Sequence, residues 1–169
     1  LRGVGQRTGE SLADEVVEVL FVTQPGIDAP VVDGVVAVGE GGDGTMYAST
    51  YGAVSRLEGS AWVPVPDDDR LKSNVIMGMA ETPDGMIWCA TDRGLSRFNG
   101  ESWRTWTAAD GLPCDEVRAV CASKDGRVWL SSQEKLCCFD GITFTIHPLP
   151  EGNKAKFMYN IAIDGEGAI

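Results

Sequence analysis

The stretch DGMIWCATDRGLSRFNGESWRTW, residues 84–106, recurs in altered form on both sides of itself. It returns 41 residues later as DGRVWLSSQEKLCCFDGITFTIH (125–147) and stands 41 residues earlier as DGTMYASTYGAVSRLEGSAWVPV (43–65). The turn glycines Gly44, Gly85, Gly126 and Gly167 keep the same 41-residue spacing. A fixed period without insertions indicates a repeat architecture in which each unit is one supersecondary element.

Each unit is predicted to form four short strands, rich in β-branched and aromatic residues and bounded by Gly, Asp and Asn. The second unit gives IMGM (76–79), IWCAT (87–91), LSRF (95–98) and a strand beginning at Trp103. The first strands of the other units are VVAV (35–38), VRAV (117–120) and MYNI (158–161). Asp-Gly between the first two strands predicts a tight hairpin, because Asp and Gly tolerate two positive φ angles.

Two aromatic columns run through the units. They contain Tyr47, Trp88 and Trp129, and Trp62, Trp103 and Phe144. We expect each column to occupy equivalent core positions, because a sheet that is apolar on both faces must be covered by its neighbours.

Four antiparallel strands in about 40 residues, repeated in phase, are typical of β-propeller blades. The predicted fold class is therefore all-β, with about four blades over residues 1–169. The predicted division is a degenerate first blade, three regular blades and a terminal innermost strand, at 1–34, 35–75, 76–116, 117–157 and 158–169. The terminal strand either begins a further blade of a larger propeller or closes a four-bladed ring. The larger propeller is preferred, because the first unit is degenerate and there is no initiating Met.

The segment GMIWCATDRGLSRFNGESWRTWTAADGLPCDEVRAV (85–120) resembles the two-component regulator propeller repeat. The shared pattern is a turn glycine, an aromatic residue, Gly-Leu-Ser-Arg-Phe, Gly, a second aromatic residue, and Asp-Gly-Leu-Pro before the next innermost strand. The unit at 43–79 departs from it at Ala53-Val54 and Arg70-Leu71. The unit at 125–161 departs further, at 135–138 and at Gly152-Asn153, and the resemblance covers about three-quarters of the chain.

This resemblance implies the extracytoplasmic sensor region of a bacterial histidine kinase or a related regulator. Propellers of that family recognise a small-molecule ligand, often carbohydrate-derived, or a partner protein chain, and they help to pair two receptor chains. A periplasmic or extracellular location and a dimer in the parent protein are therefore implied. The residues themselves predict no cofactor and no metal site.

Charge and composition exclude several other classes. The net charge is −11, which repels phosphate backbones, so nucleic acid is not an expected partner. No apolar run approaches the roughly 18 residues of a membrane span, so no membrane insertion is expected. The five cysteines include no CxxC spacing, which argues against a zinc site and favours buried free thiols.

The candidate site is the end of the blades where the turns between the second and third strands meet the linkers between blades. Loops on a rigid scaffold commonly carry recognition, and mixed charge with planar donors suits hydroxyl-rich or carboxylated ligands. The predicted ligand-binding residues are Tyr51, Asp69, Arg70, Asp92, Arg93 and Lys135. No catalytic residue is predicted, because the single histidine, His147, is expected at the surface late in an outer strand.

The sequence thus predicts a non-enzymatic recognition module within a sensor propeller. Two alternatives remain open: a lyase or hydrolase on the propeller scaffold, and a purely structural interaction scaffold. Fold alone does not choose among them.

Overall fold

The computed structural model of the chain describes residues 37–40, 45–50, 53–66, 71, 75–132, 135–148, 160–164 and 167–169. Within these described residues, twelve strands form three antiparallel sheets of four. The first sheet contains β1 (Ala37–Glu40), β2 (Met46–Thr50), β3 (Ala53–Glu58) and β4 (Ala61–Pro64). The second contains β5 (Ile76–Glu81), β6 (Ile87–Thr91), β7 (Gly94–Phe98) and β8 (Trp103–Trp106). The third contains β9 (Ala119–Ala122), β10 (Val128–Ser132), β11 (Lys135–Phe139) and β12 (Phe144–His147).

Within each sheet the strands pair in chain order, so every sheet is a simple meander. The register repeats from sheet to sheet, since Tyr47 pairs with Gly39, Trp88 with Ala80 and Trp129 with Cys121. The predicted all-β propeller architecture, with four antiparallel strands per blade, is confirmed. The degenerate first blade, at 1–34, lies outside the described residues.

The sheets stack face to face, with their innermost strands side by side. Small residues permit this close approach: a Cβ added to Gly78 of β5 would lie 3.6 Å from the Ala119 Cα of β9. All residues of β6 and β10 are buried, as expected for strands covered on both faces. One core cluster lies between the first two sheets and includes Val54, Ile76 and Phe98. The other joins the second and third sheets.

Aromatic side chains make much of the contact between the second and third sheets. Trp88 stacks on Trp106 with ring centroids 5.4 Å apart, and Phe139 of the third sheet lies 5.8 Å from Trp88 and 5.3 Å from Trp106. In the second aromatic column, Trp103 also reaches the preceding sheet, because its indole Nε1 donates to the Pro66 carbonyl at 2.8 Å. Each column therefore occupies equivalent strand positions and ties neighbouring sheets together, but Trp62 and Phe144 are half-buried and are not the core residues that we expected.

The hairpins between the first and second strands differ from the predicted turn. Thr82 N–H donates to Met86 O at 3.0 Å and Gly85 N–H donates to Thr82 O at 2.8 Å, so the loop encloses three residues. In loops of this length glycine takes the left-handed position, and Gly85 has φ 81°. The turns at 123–127 and 164–168 repeat the same two hydrogen bonds. The prediction of two positive φ angles is therefore corrected to a three-residue loop.

The innermost strands end two residues later than predicted. β5 begins at Ile76 as predicted, β9 begins at Ala119, two residues after its predicted start, and the first two residues predicted for β1 lie outside the described residues. Val117 N–H instead donates to Thr91 O of the second sheet at 2.9 Å, so this residue belongs to the junction between sheets. The fourth predicted innermost strand has no strand assignment at 160–164, and residues 158 and 159 lie outside the described part.

The turns between the third and fourth strands are two-residue hairpins closed by an acceptor side chain. Asn99 Oδ1 accepts from the backbone of Glu101 and Ser102 at 3.0 and 2.8 Å. Asp140 Oδ1 accepts from Ile142 and Thr143 at 2.9 and 2.8 Å. The backbone N–H groups of Thr143 and Ile142 favour the charged carboxylate, so they lower the pKa of Asp140 below its ordinary value.

Most of the thiols lie in the core. Cys89 and Cys137 are fully buried and Cys138 is nearly so, whereas Cys114 is partly exposed, and all five cysteines are free. Burial raises the pKa of Cys137 to about 11, that of Cys121 to about 11, and that of Cys89 further still. Because the thiolate is the reactive form, these groups are packing residues rather than nucleophiles.

Replacing Gly94 with Ala should strongly destabilise the protein. Gly94 has φ 136°, and an added Cβ would lie 2.3 Å from the carbonyl oxygen of Trp106 in the paired strand. We expect a loss of about 3–4 kcal/mol in the free energy of unfolding, measured by urea denaturation. Gly100→Ala is the matched control, because φ is 93° but no atom lies within 4 Å, and it should cost about 1 kcal/mol. Equal losses in the two variants would refute the steric argument.

Replacing Asp140 with Asn should make the free energy of unfolding depend less strongly on pH in the acid range. A lowered pKa means that the carboxylate stabilises the fold above the unfolded-state pKa, about 4, and that this contribution is lost as the pH falls through the folded-state value. Asn99 shows that an amide oxygen can accept the same two turn bonds. The variant should therefore fold, yet lose less stability than wild type between about pH 4 and pH 2. Identical pH profiles would contradict this role.

Thiol accessibility offers a direct check of the core. At pH 8, a small thiol reagent should modify Cys114 first, while Cys89 and Cys137 should react at least about 100-fold more slowly until denaturant is added. Mass spectrometry of peptides from a time course gives the order. Comparable native rates for Cys89 and Cys114 would mean that the stack of sheets opens readily.

Candidate functional site

The candidate site is the end of the sheets at which β2, β6 and β10 end and the β6–β7 turn lies beside the connections between sheets; we name it the linker end. In the second sheet its centre is the turn Asp92-Arg93 between β6 and β7. Buried Thr91 shapes this turn, because its hydroxyl donates to Gly94 O at 2.7 Å and accepts from Arg93 N at 3.2 Å. The local sequence Thr-x-x-Gly therefore fixes the backbone that presents both charged side chains.

The connections on both sides hold the same turn in place. Asp92 N–H donates to Val75 O at 3.3 Å, just before β5, and Val117 N–H donates to Thr91 O at 2.9 Å, just before β9. These hydrogen bonds join the turn to the end of each flanking linker. The linker end is thus a braced surface, and a ligand bound there would not have to order the turn first.

The linker from the second to the third sheet is itself well ordered by hydrogen bonds. A short 3₁₀ turn, Ala108–Asp110, is capped by Asp110, whose Oδ2 accepts from Thr107 N and Oγ1 at 2.9 and 3.0 Å. Asp115 Oδ1 accepts from Ala108 N at 2.6 Å, and Leu112 is buried in the core. Both carboxylates therefore stabilise the loop, and this use reduces their availability to a ligand.

Ser132, a residue of the third sheet, also holds this linker in place. The Ser132 hydroxyl lies 3.2 Å from the Cys114 carbonyl and 3.0 Å from the Glu116 carbonyl, within hydrogen-bonding distance of both. Ser132 occupies the column of Thr91, so the small hydroxyl residue at the end of the second strand binds backbone in both sheets.

The six predicted ligand-binding residues divide into two groups. Asp92, Arg93 and Lys135 lie at the linker end of the second and third sheets, where Arg93 and Lys135 are exposed and Asp92 is half-buried. Tyr51, Asp69 and Arg70 lie outside the described residues. The joint role of these residues in ligand binding stays a prediction.

His147 has a different setting from the one predicted. Its ring lies 4.7 Å from the Trp129 ring, and the side chain is half-buried rather than a plain surface group. No group of three or more His, Cys, Asp or Glu residues in the described ranges could hold a metal ion. A crevice of about 10 Å³ between the first two sheets, lined by Tyr47, Met79 and Ile87 among others, has room for a single water.

The comparisons with known proteins agree with this architecture. The family model for the two component regulator propeller matches residues 111–134, which span the second linker, β9 and β10. No curated protein matches the sequence. In the part of the chain that the structure describes, no helix has the length and apolar character of a membrane span.

Solved structures share the fold at low sequence identity. The extracellular domain of the hybrid two component system BT3049 from B. thetaiotaomicron superimposes with a TM-score of 0.62 at 22% identity over 79% of this chain and 19% of that one. A gluconolactonase from Xanthomonas campestris gives 0.57 at 20% identity, over 76% of this chain and 50% of that one. Virginiamycin B lyase from Staphylococcus aureus gives 0.55 at 16% identity, over 73% and 44%.

These likenesses establish the fold, and the chain spans about a fifth of the length of the two-component domain. The family match falls on the linker and the strands that brace the candidate site. The resemblance predicted from residues 85–120 is therefore confirmed by the match of the two component regulator propeller model to residues 111–134.

Proposed function

We propose that this chain is a non-enzymatic recognition segment of a sensor propeller, which binds a small ligand at its linker end. The observation that carries the proposal is the braced turn at Asp92-Arg93, held by backbone hydrogen bonds to the linkers on both sides. Binding there would bear on two sheet junctions at once, which suits a surface that reports occupancy to a neighbouring domain.

Three features support recognition rather than chemistry. The family match is to a regulator repeat, and a solved domain of similar fold is the extracellular part of a two-component system. The sequence has one histidine, and that side chain packs on Trp129. Cys89 and Cys137, whose pKa values burial raises, lie in the core.

The proposed ligand is a hydroxyl-rich or carboxylated small molecule, with carbohydrates as the first class to examine. The exposed cations Arg93, in the β6–β7 turn, and Lys135, the first residue of β11, lie at the linker end of adjacent sheets, and cationic donors pair well with carboxylates and hydroxyls. On the same resemblance, we propose a periplasmic or extracellular location and a dimer in the parent protein.

A lyase or hydrolase is the second candidate, because a lyase and a lactonase use the same fold. Fold sharing at this identity carries no activity across. The experiment below therefore measures turnover beside binding.

The test is a titration of the protein with a panel of neutral and uronic-acid-containing oligosaccharides, followed by calorimetry and by an assay for new reducing ends. We expect saturable binding without turnover. The variant Arg93→Ala with Lys135→Ala should weaken the binding of an active oligosaccharide by about tenfold or more, which corresponds to about 1.4 kcal/mol.

Arg127→Ala is the matched control, because Arg127 is an exposed cation at the opposite end of the third sheet, paired with Asp125. It should bind the active oligosaccharide like wild type. Unchanged affinity in the Arg93 and Lys135 variant would remove the linker end as the site, and turnover of any panel member would favour the enzyme.

A further inference from the structure

The three sheets differ at one cluster of columns on strands three and four. The three residue sets are Arg56, Glu58 and Val63; Arg97, Asn99 and Arg104; and Cys138, Asp140 and Thr145. Because the columns are equivalent, the first and third sheets show what the second sheet has gained and lost. The second sheet has two arginines and no carboxylate in this cluster.

In the first sheet the arginine is neutralised within its own strand. Arg56 Nε donates to Glu58 Oε1 at 2.6 Å, and the same two side chains form an ion pair. In the second sheet the corresponding acceptor is Asn99, whose Oδ1 is occupied by the turn to Glu101 and Ser102. Arg97 therefore has no carboxylate at the position where Glu58 pairs with Arg56.

The two arginines of the second sheet lie together on an aromatic surface. Arg97 and Arg104 are directly opposite in the β7–β8 pairing. The Cζ atom of Arg97 lies 5.6 Å from the Trp88 ring and 5.3 Å from the Trp106 ring, and that of Arg104 lies 4.4 Å from Trp106. Cation–π attraction to both rings fixes the guanidinium groups without hydrogen bonds.

This arrangement leaves the positive charges of Arg97 and Arg104 uncompensated. Like charges directly opposite in an antiparallel pair are destabilising. The Arg97 Nε is buried without a hydrogen-bond partner, and no ion pair involving Arg97 or Arg104 is found among the described residues. A buried donor without a partner in a native protein calls for a specific explanation, and a bound ion is one of them.

We propose that Arg97 and Arg104 form a binding site for the carboxylate group of a small organic acid, on the outer strands of the second sheet and separate from the linker end. Two planar guanidinium groups, preoriented on Trp106, match the two oxygens of a carboxylate and relieve their mutual repulsion. The net charge of −11 disfavours a polyanion, which makes a single small acid the fitting ligand.

The probe is sodium succinate, titrated at constant ionic strength against sodium chloride, with the neutral succinamide as a second comparison. The readouts are the tryptophan fluorescence of the protein and the Nε–Hε resonance of Arg97 in a nitrogen–proton NMR spectrum. We expect a saturable response to succinate, with none to chloride or succinamide. Equal responses to chloride would mean ionic screening only and would overturn the proposal.

Two variants test the site without disturbing the core. Arg104 is exposed, so Arg104→Gln should fold normally and weaken succinate binding by about tenfold. Asn99→Glu keeps both arginines and restores the carboxylate found in the first sheet, so it should compete internally and weaken binding by a similar factor. Arg56→Gln is the matched control, because Arg56 already has its Glu58 partner, and it should leave binding unchanged.

Succinate affinity equal to wild type in both Arg104→Gln and Asn99→Glu would overturn the proposal. Binding of an acidic peptide without any binding of succinate would assign the surface to a protein partner instead, and would also overturn it. The Arg93 and Lys135 variant should bind succinate normally, so failure here is distinguishable from failure of the linker-end site.

Discussion

Burial of both faces of each four-stranded sheet is the constraint on which the rest of this structure depends. β6 and β10 are buried along their whole length, so neither sheet could stand in water alone. The apolar area is covered only by neighbouring sheets, and the aromatic contacts from Trp88 and Trp106 to Phe139 show how the second and third sheets cover each other. Small residues such as Gly78 let the innermost strands approach closely enough for this to happen.

The same constraint explains where the sequence is free to vary. Positions that face a neighbouring sheet keep their chemical type, while the two-residue turns need only a glycine and a backbone acceptor. Asn99 and Asp140 fill the acceptor role equally well in geometry but differ in charge. Such substitutions leave the blade intact and change the electrostatics around it, which is how a repeat protein acquires sites that are not themselves repeated.

Two surfaces of the second sheet show this in different ways. At the linker end, backbone hydrogen bonds to both flanking linkers hold a charged turn that differs from its counterparts. On the outer strands, the exchange of Glu58 for Asn99 and of Val63 for Arg104 concentrates positive charge over aromatic rings. The outer-strand arginine pair is not needed for folding, since the first sheet forms the same strands without it, and both surfaces are candidates for interaction.

The sequence by itself determined the period, the strand content, the stacking of aromatic columns and hence the propeller fold, because a hydrophobic pattern of fixed period admits few ways of burial. It also identified Asp92, Arg93 and Lys135 as linker-end residues, since strand order places their turns there. Only the tertiary structure decided which polar groups are already used: Asp110 and Asp115 stabilise the linker, His147 packs on Trp129, and Arg97 lies between two tryptophan rings. Those partners come from separate strands and loops, and their distances depend on how the sheet twists and packs, which no one-dimensional pattern records.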